Sequence, residues 1–340
     1  MLEDFIQIAE SGQDLSPDQM QQAIVWMLAG RADDAQIGQL LLALRAKGES
    51  VSEMLGAAKG LRLMMTPIRS KHADLLDTCG TGGDGSGTFN ISTATAIVTA
   101  ACGVPTAKHG NRKITSATGS ADVLAHLGVK IDADRACVER SLDQLGLCFC
   151  YAPLLHPAMK HVGQVRQQLG VPTLFNYLGP LCNPAAAAYQ ILGTGREDLQ
   201  AKLAATLVQL PIQAAVVVRG ADGMDEVSLS SETSVLHVQY GMTTQLYWDH
   251  RSFGLPRINN SDLLVDGPQQ SAKMIEGILK GQSGPARDIV VANAAAGLWV
   301  CNRTHSLIDA VGQAQRAIDS GKALSLLEDL ARLTHGQNGV

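Results

Sequence analysis

Aromatic side chains are scarce in this chain, at 4% of 340 residues. Alanine and glycine are plentiful instead, which disfavours an aromatic-rich sandwich and favours helices packed closely on a sheet. No run approaches the roughly 20 apolar residues that span a bilayer. The opening MLEDFIQIAE carries acids and no apolar stretch, so no signal peptide is expected. The seven cysteines are odd in number and form no CxxC pair, so they read as reduced thiols, mostly core fillers, of a cytoplasmic protein. An excess of positive charge is also missing. Lys and Arg number 27 against 32 Asp and Glu, a formal net charge of -5, which argues against electrostatic nucleic-acid binding while leaving room for a local basic patch.

The 46% apolar and 17% charged residues describe a soluble, globular chain long enough for two domains, or a large one with a smaller companion. Residues 1–70 read as helical throughout. Ser16-Pro17-Asp18-Gln19 is a capping box with proline at the first helical position, and Ser50 with Glu53 forms another. Ile37, Leu40, Leu41 and Leu44 mark one apolar helix face. From Asp74 onward, short apolar runs such as Ala214 to Val218 alternate with longer helical patterns, the signature of α/β packing, and the last 60 or so residues return to helix.

One stretch demands a physical reason: CGTGGDGSGTFNIST, Cys79 to Thr93. Gly80, Gly82 and Gly85 satisfy GxGxxG, but a dinucleotide site wants an acid about 20 residues on, and none lies between Asp84 and Asp122. No Gly-Lys-Ser/Thr follows, so a Walker loop is excluded as well. Glycines permit positive φ and let backbone N–H groups approach an anion, helped by a helix expected to start near Ser92. A tight turn feeding a core helix is the alternative for the loop alone. Downstream, KHGNRK supplies Lys108, His109, Asn111, Arg112 and Lys113, and ITSATGS adds Ser116 and Ser120. Glycines, cations and small hydroxyls without one acid suit a ligand with several phosphates.

Two further groups sit elsewhere. Asp225 and Glu226 in RGADGMDEVSL follow an expected strand, where open α/β sheets bind ligands. Alone, such a pair reads either as surface acids or as oxygen ligands for Mg²⁺ beside substrate phosphates. HPAMKHVGQVRQQLG places Arg166 on a helix beginning after Pro157, either as a surface residue or as a bidentate partner for a carboxylate.

Taken in order, GTGGDGSGTFNIST, AKHGNR, TGSADVLAHLG, HPAMKHV, FNYLGPLCNP and GMDE resemble the anthranilate phosphoribosyltransferases, and GPARDIVVANAAAGL and AIDSGKAL resemble their C-terminal helices. The resemblance runs from about residue 10 to 332. It implies an α/β protein with a small, mostly helical domain and a large α/β domain whose central, mainly parallel sheet is flanked by helices. The small domain would comprise 1–70 with a returning segment at about 165–185; the large one would comprise 71–164 and 186–340. The implied reaction joins anthranilate to 5-phosphoribosyl 1-diphosphate, the second step of tryptophan biosynthesis from chorismate. No nucleic-acid or membrane partner is implied, and a homodimer through the helical domain is.

By the same resemblance, the diphosphate donor would lie against Gly80, Thr81, Gly82, Gly83 and Asp84, with Thr88, Asn90, Ser92 and Thr93. Lys108, Asn111, Arg112, Ser116 and Ser120 would complete that site. Anthranilate would meet Gly80, His109, Asn111 and Arg166. Ser92, Asp225 and Glu226 would handle two Mg²⁺ ions, directly or through water. The loop Arg112 to Ser120 would fold over the phosphates. Two positions depart from the family pattern: Lys113, where a small residue is usual, and Pro172, where arginine is common. A pyrimidine nucleoside phosphorylase shares the fold but would show an SGRG-like segment in place of KHGNR and a lysine soon after the first glycines. A non-catalytic nucleic-acid-binding relative would lose the KHGNR or DE motifs and carry more positive charge. This chain does neither.

Overall fold

A computed structural model describes residues 2–112 and 118–336. The chain opens with four helices, α1 (Leu2–Glu10), α2 (Pro17–Leu28), α3 (Asp34–Lys47) and α4 (Val51–Met64). Both expected capping boxes form: Ser16 accepts from the Gln19 amide and Ser50 from the Glu53 amide, each at 3.3 Å. Asp33 with Gln36 makes a third box that sequence reading passed over. Glu53 is fully buried yet well served, accepting from the Leu15 and Ser50 amides and from Lys47 at 2.7 Å. A buried carboxylate with its oxygens occupied in this way ties two helix starts together. Gly56 and Gly60 let α4 lie flush on α2, since a Cβ at either would run into Pro17, Met20 or Ile24.

Beyond them, β1 (Leu76–Gly80), α5 (Ile91–Ala101), β2 (Thr106–Gly110), α6 (Ser120–His126), α7 (Arg135–Leu145) and β3 (Leu147–Tyr151) begin the sheet. The short α8 (Ala152–Leu155), α9 (Lys160–Leu169) and α10 (Phe175–Leu178) lead to β4 (Tyr189–Gly193), α11 (Glu197–Val208) and β5 (Ala214–Gly220). The hairpin β6 (Thr233–Gln239) and β7 (Met242–Trp248) precedes α12 (Pro268–Leu279), α13 (Pro285–Val300), α14 (Leu307–Asp319) and α15 (Lys322–Thr334). The seven strands are ordered β3-β2-β1-β4-β5-β6-β7. The first five run parallel; β6 and β7 are antiparallel additions at one edge. Order reverses between β1 and β4, so the crevice beyond their C-terminal ends is where such a sheet takes ligands.

Two large apolar cores lie on opposite faces of the sheet, with a smaller third one around Leu142, Cys148 and Cys150. The buried, alanine- and valine-rich α13 packs against α5 on one of them. On the other, α1–α4 share a core with Val162 and Val165 of α9, with Phe175 and Leu178 of α10, and with α11 and Val217 of β5. All seven cysteines are free, five of them buried. No helix among the described residues is long and apolar enough to cross a membrane.

Candidate active site

Two clefts meet at the C-terminal ends of β1 and β2. The first, about 470 Å³, is floored by the glycine loop and walled by Lys108, Asp225 and Glu226. The second, about 610 Å³, contains Arg166, Phe175, His109 and His156. They share Cys79, Gly80, Thr81, His109, Gly110 and Asn111, so a molecule in each would touch the other there.

The loop after β1 turns left-handed at Gly82, Gly83, Gly85 and Gly87, with φ between 66° and 73°. Only glycine adopts that conformation without cost, which explains the local sequence. Thr81 donates its amide to Gly193 O at 2.8 Å, and the Gly82 amide donates to Asp225 Oδ2 at 3.1 Å. Asp84 accepts from the Ser86 amide and, across the site, from the Asp225 amide at 3.3 Å. Thr88 Oγ1 lies 3.1 Å from Ser86 Oγ. Asn90 caps α5 by accepting from the Thr93 amide at 3.1 Å, so the helix starts at Ile91, one residue before the start expected near Ser92.

Lys108 is buried, its Nζ donating to Thr78 O at 2.6 Å and to Ser92 Oγ at 3.0 Å. Burial pulls its pKa down, opposed by the negative charge of Asp77 and, more weakly, of Glu226 and Asp225. Burial followed by repulsion from Asp84 raises Asp225 to about 7. Burial and then Asp225 push Glu226 well up, tempered by Lys108. These carboxylates are short of cation. Among the described residues no group of three or more His, Cys, Asp or Glu forms a complete metal cage. Two half-buried carboxylates beside a polar cleft suit a hard cation that draws its other oxygens from water and phosphate.

In the second cleft, Arg166 is partly buried with its guanidinium 5.5 Å from the Phe175 ring centroid. Burial works against its charge, and it has no ion-pair partner among the described residues. Its planar fork is therefore open to a carboxylate. His109 donates its backbone amide to the buried Asp77 and sets its ring 3.1 Å from Gly179 O and 3.2 Å from His156.

Most of the expected site residues converge. Thr93 is an exception, because its side chain is 1% exposed and serves the Asn90 cap instead of facing the cleft. Gly83 shapes the loop but does not line either cleft. Arg112 lines the first cleft yet holds Asp122 at 2.9 Å and Tyr151 Oη at 3.1 Å. Ser120 donates to Asn111 O at 3.4 Å, and Asn111 accepts the Arg112 amide at 2.8 Å. Ser116 and Lys113 lie outside the described residues, as does most of the expected closing loop. Pro172 accepts from the Arg45 guanidinium through its carbonyl, tying the segment after α9 to α3. His156, Phe175 and Asp77 were missed. HPAMKHV signalled His156, but nothing in its spacing announces a partner 47 residues away.

Residues 3–64 match the helical bundle domain of the glycosyl transferase family, and residues 72–324 match its a/b domain. An anthranilate phosphoribosyltransferase of Rhodopirellula baltica is 51% identical over 328 residues, 96% of each chain. One from Methanosarcina barkeri is 46% identical, covering 94% of this chain and 87% of its own. Among solved structures, the Thermus thermophilus anthranilate phosphoribosyltransferase superposes with a TM-score of 0.92 at 37% identity, covering 98% of this chain and 99% of that one. The Saccharomyces cerevisiae enzyme in complex with PRPP and Mg gives 0.90 at 29% identity, covering 98% of both chains. With relatives this similar along nearly its whole length, the chain belongs to the anthranilate phosphoribosyltransferase family.

Proposed function

We propose that this protein transfers the 5-phosphoribosyl group of 5-phosphoribosyl 1-diphosphate to the amine of anthranilate, giving N-(5-phosphoribosyl)anthranilate and pyrophosphate. The observation that carries this reading is the pair of joined clefts. One is lined by amides, hydroxyls and carboxylates, the other by an arginine that has no ion-pair partner among the described residues and lies beside an aromatic ring, with Gly80 and Asn111 common to both.

The first cleft takes the donor. Loop amides from Gly80 to Asp84, the Asn90 and Ser92 side chains and Lys108 gather around its phosphates; Asn111, Arg112 and Ser120 supply the far wall. Asp225 and Glu226, with Ser92, hold Mg²⁺, and two ions suit the two carboxylates. A cation held by these residues would offset the negative charge of the departing pyrophosphate. Lys108 and the amides are fixed before reaction, so they stabilise that developing charge without reorganising.

The second cleft takes anthranilate. Arg166 grips the carboxylate in a bidentate fashion and aims the amine through the shared wall of His109 and Asn111 at the anomeric carbon. An aromatic amine is unprotonated near neutrality, so no strong base is required. The helical portion, residues 1–70 with about 165–185, then forms one wall of the acceptor cleft and the α/β portion the donor cleft. We further assign the protein to the cytoplasm as a homodimer associating through its helical portion.

The test follows the decay of anthranilate fluorescence with purified protein, 5-phosphoribosyl 1-diphosphate and Mg²⁺, each omitted in turn. Decay is expected only with all three present. Stable fluorescence in the complete mixture refutes the reading.

A further inference from the structure

The parallel ladder between β1 and β2 stops after one register pair, Leu76 with Thr106. Yet β1 stays paired to β4 through Gly80, and β2 to β3 through Gly110. The strands part only along their shared side. In a continued ladder, the His109 amide would donate to Thr78 O and the Ala107 carbonyl would accept from β1. Side chains take every one of these places. The His109 amide donates to Asp77 Oδ1 at 3.1 Å, Thr78 O accepts from Lys108 Nζ at 2.6 Å, and Ala107 O accepts from Asn183 Nδ2 at 2.7 Å. Asp77, Lys108 and Asn183 are all buried, and Asp77 also takes the Cys79 thiol at 3.4 Å.

Ordinary strand pairing would satisfy the same backbone groups without burying a carboxylate and an ammonium, which is costly even when they are well bonded. The arrangement has a geometric product. Cys79 and Gly80 on one strand and His109 and Gly110 on the other stand apart, and all four line the stretch where the two clefts join.

The geometry points to Asp77 as a positioning residue that holds β1 and β2 open, so that donor and acceptor reach each other through the slot between them. Its carboxylate captures the amide that would otherwise zip the sheet shut. Asn183 props the same gap by donating to the Ala107 carbonyl. The kinetic part of this inference rests on the proposed phosphoribosyl transfer; the structural part does not.

Two variants separate the outcomes. Asp77→Leu keeps the branched four-atom outline, with larger methyl ends, but removes the acceptor; Asp77→Asn keeps an oxygen for the His109 amide. Crystal structures of both are compared with KM and kcat for anthranilate and for 5-phosphoribosyl 1-diphosphate with Mg²⁺. In Asp77→Leu the His109 amide is expected to bond Thr78 O, with both KM values raised at least ~10-fold. In Asp77→Asn the slot stays open and both KM values remain within about threefold, because the geometry survives. An open slot in Asp77→Leu, unchanged KM values there, or equal loss in both variants overturns the inference. If Asp77→Leu does not fold, Asn183→Ala replaces it: a narrowed slot and raised KM values support the inference, and parental values refute it. A parent protein that turned over no anthranilate would defeat the proposed function, while the crystal structures would still decide whether Asp77 keeps the strands apart.

Discussion

His109 and His156 face each other Nε2 to Nε2 at 3.2 Å, both rings buried. The Nδ1 of His109 lies 3.1 Å from the Gly179 carbonyl, which only accepts, so that nitrogen carries the hydrogen. His109 Nε2 is then a lone pair, and His156 Nε2–H must be its donor. Among the described residues the buried Nδ1 of His156 makes no hydrogen bond of good geometry. Burial depresses both rings, His109 to about 3 with a further contribution from His156, and His156 to about 4.

Both histidines therefore fold neutral. Each binds a proton in the unfolded chain below 6.5, but in the folded chain only near 3 or 4. Their contribution to stability is complete above 6.5 and is lost as pH falls, at up to ~1.4 kcal/mol per pH unit for each ring. His156→Asn removes one of them. Urea denaturation at pH 6.5 and pH 5 should show the variant gaining on the parent protein as pH falls. A constant gap between the two proteins would mean that His156 titrates normally.

Arg166 should act mainly on the acceptor. Arg166→Ala is expected to raise the anthranilate KM by about 10–100-fold, the worth of a charged bidentate contact, while the KM for the donor moves little. Arg166→Lys should recover only part of the loss, because an ammonium lacks the planar fork. An unchanged anthranilate KM in Arg166→Ala would refute the role.

Asp225 titrates in the opposite sense to the histidines. Its folded pKa is raised from 3.8 to about 7, so its stabilising share is present below 3.8 and lost as pH rises toward 7. Asp225→Asn with Glu226→Gln should therefore melt above the metal-free parent at pH 8, with the advantage shrinking at pH 5. The gain is on the order of 1–2 kcal/mol once partial exposure is allowed for. Mg²⁺-dependent turnover should vanish in the same protein. Full activity would exclude the pair as the metal site, and no gain in melting temperature would show that the carboxylates are unstrained.

Gly193 ends β4 beneath the acidic loop, and a Cβ there would overlap the Asp225 carbonyl oxygen. Because the obstacle is backbone, it cannot swing aside. Gly193→Ala should displace the Asp225 segment, abolish activity and lower the melting temperature by several degrees, as overpacking does. Wild-type turnover in Gly193→Ala would show that the loop has room to yield.

Local signals were legible in the sequence because their physics is local. Ser16 and Ser50 carry their capping partners three residues away, and the left-handed turns at Gly82 and Gly85 are written as glycine. The α/β pattern and the run from Ala214 to Val218 were equally plain, the strand continuing only to Gly220. Site residues carried by long motifs came with the family resemblance. What stayed hidden depends on register and crossover. Asp84 meets Asp225 across 141 residues, and His156 meets His109 across 47. Nothing local marks Asp77 as buried, and the two-residue turn Tyr240-Gly241 that joins β6 to β7 carries its glycine without the Asn or Asp that usually precedes it. Thr93 came with the motif as a donor-site residue, and its hydroxyl also bonds the Asn90 side chain that caps α5.

The opening helices and the sheet bury one another's oily sides: Ile24 and Leu41 belong to the same apolar mass as Leu203, Val217 and Val238. The bundle is consequently no detachable appendage. Cleaving the stretch of 65–75 would strand two pieces, each with a raw surface that water will not tolerate, so the chain must reach beyond residue 200 before its first helices find their full bed.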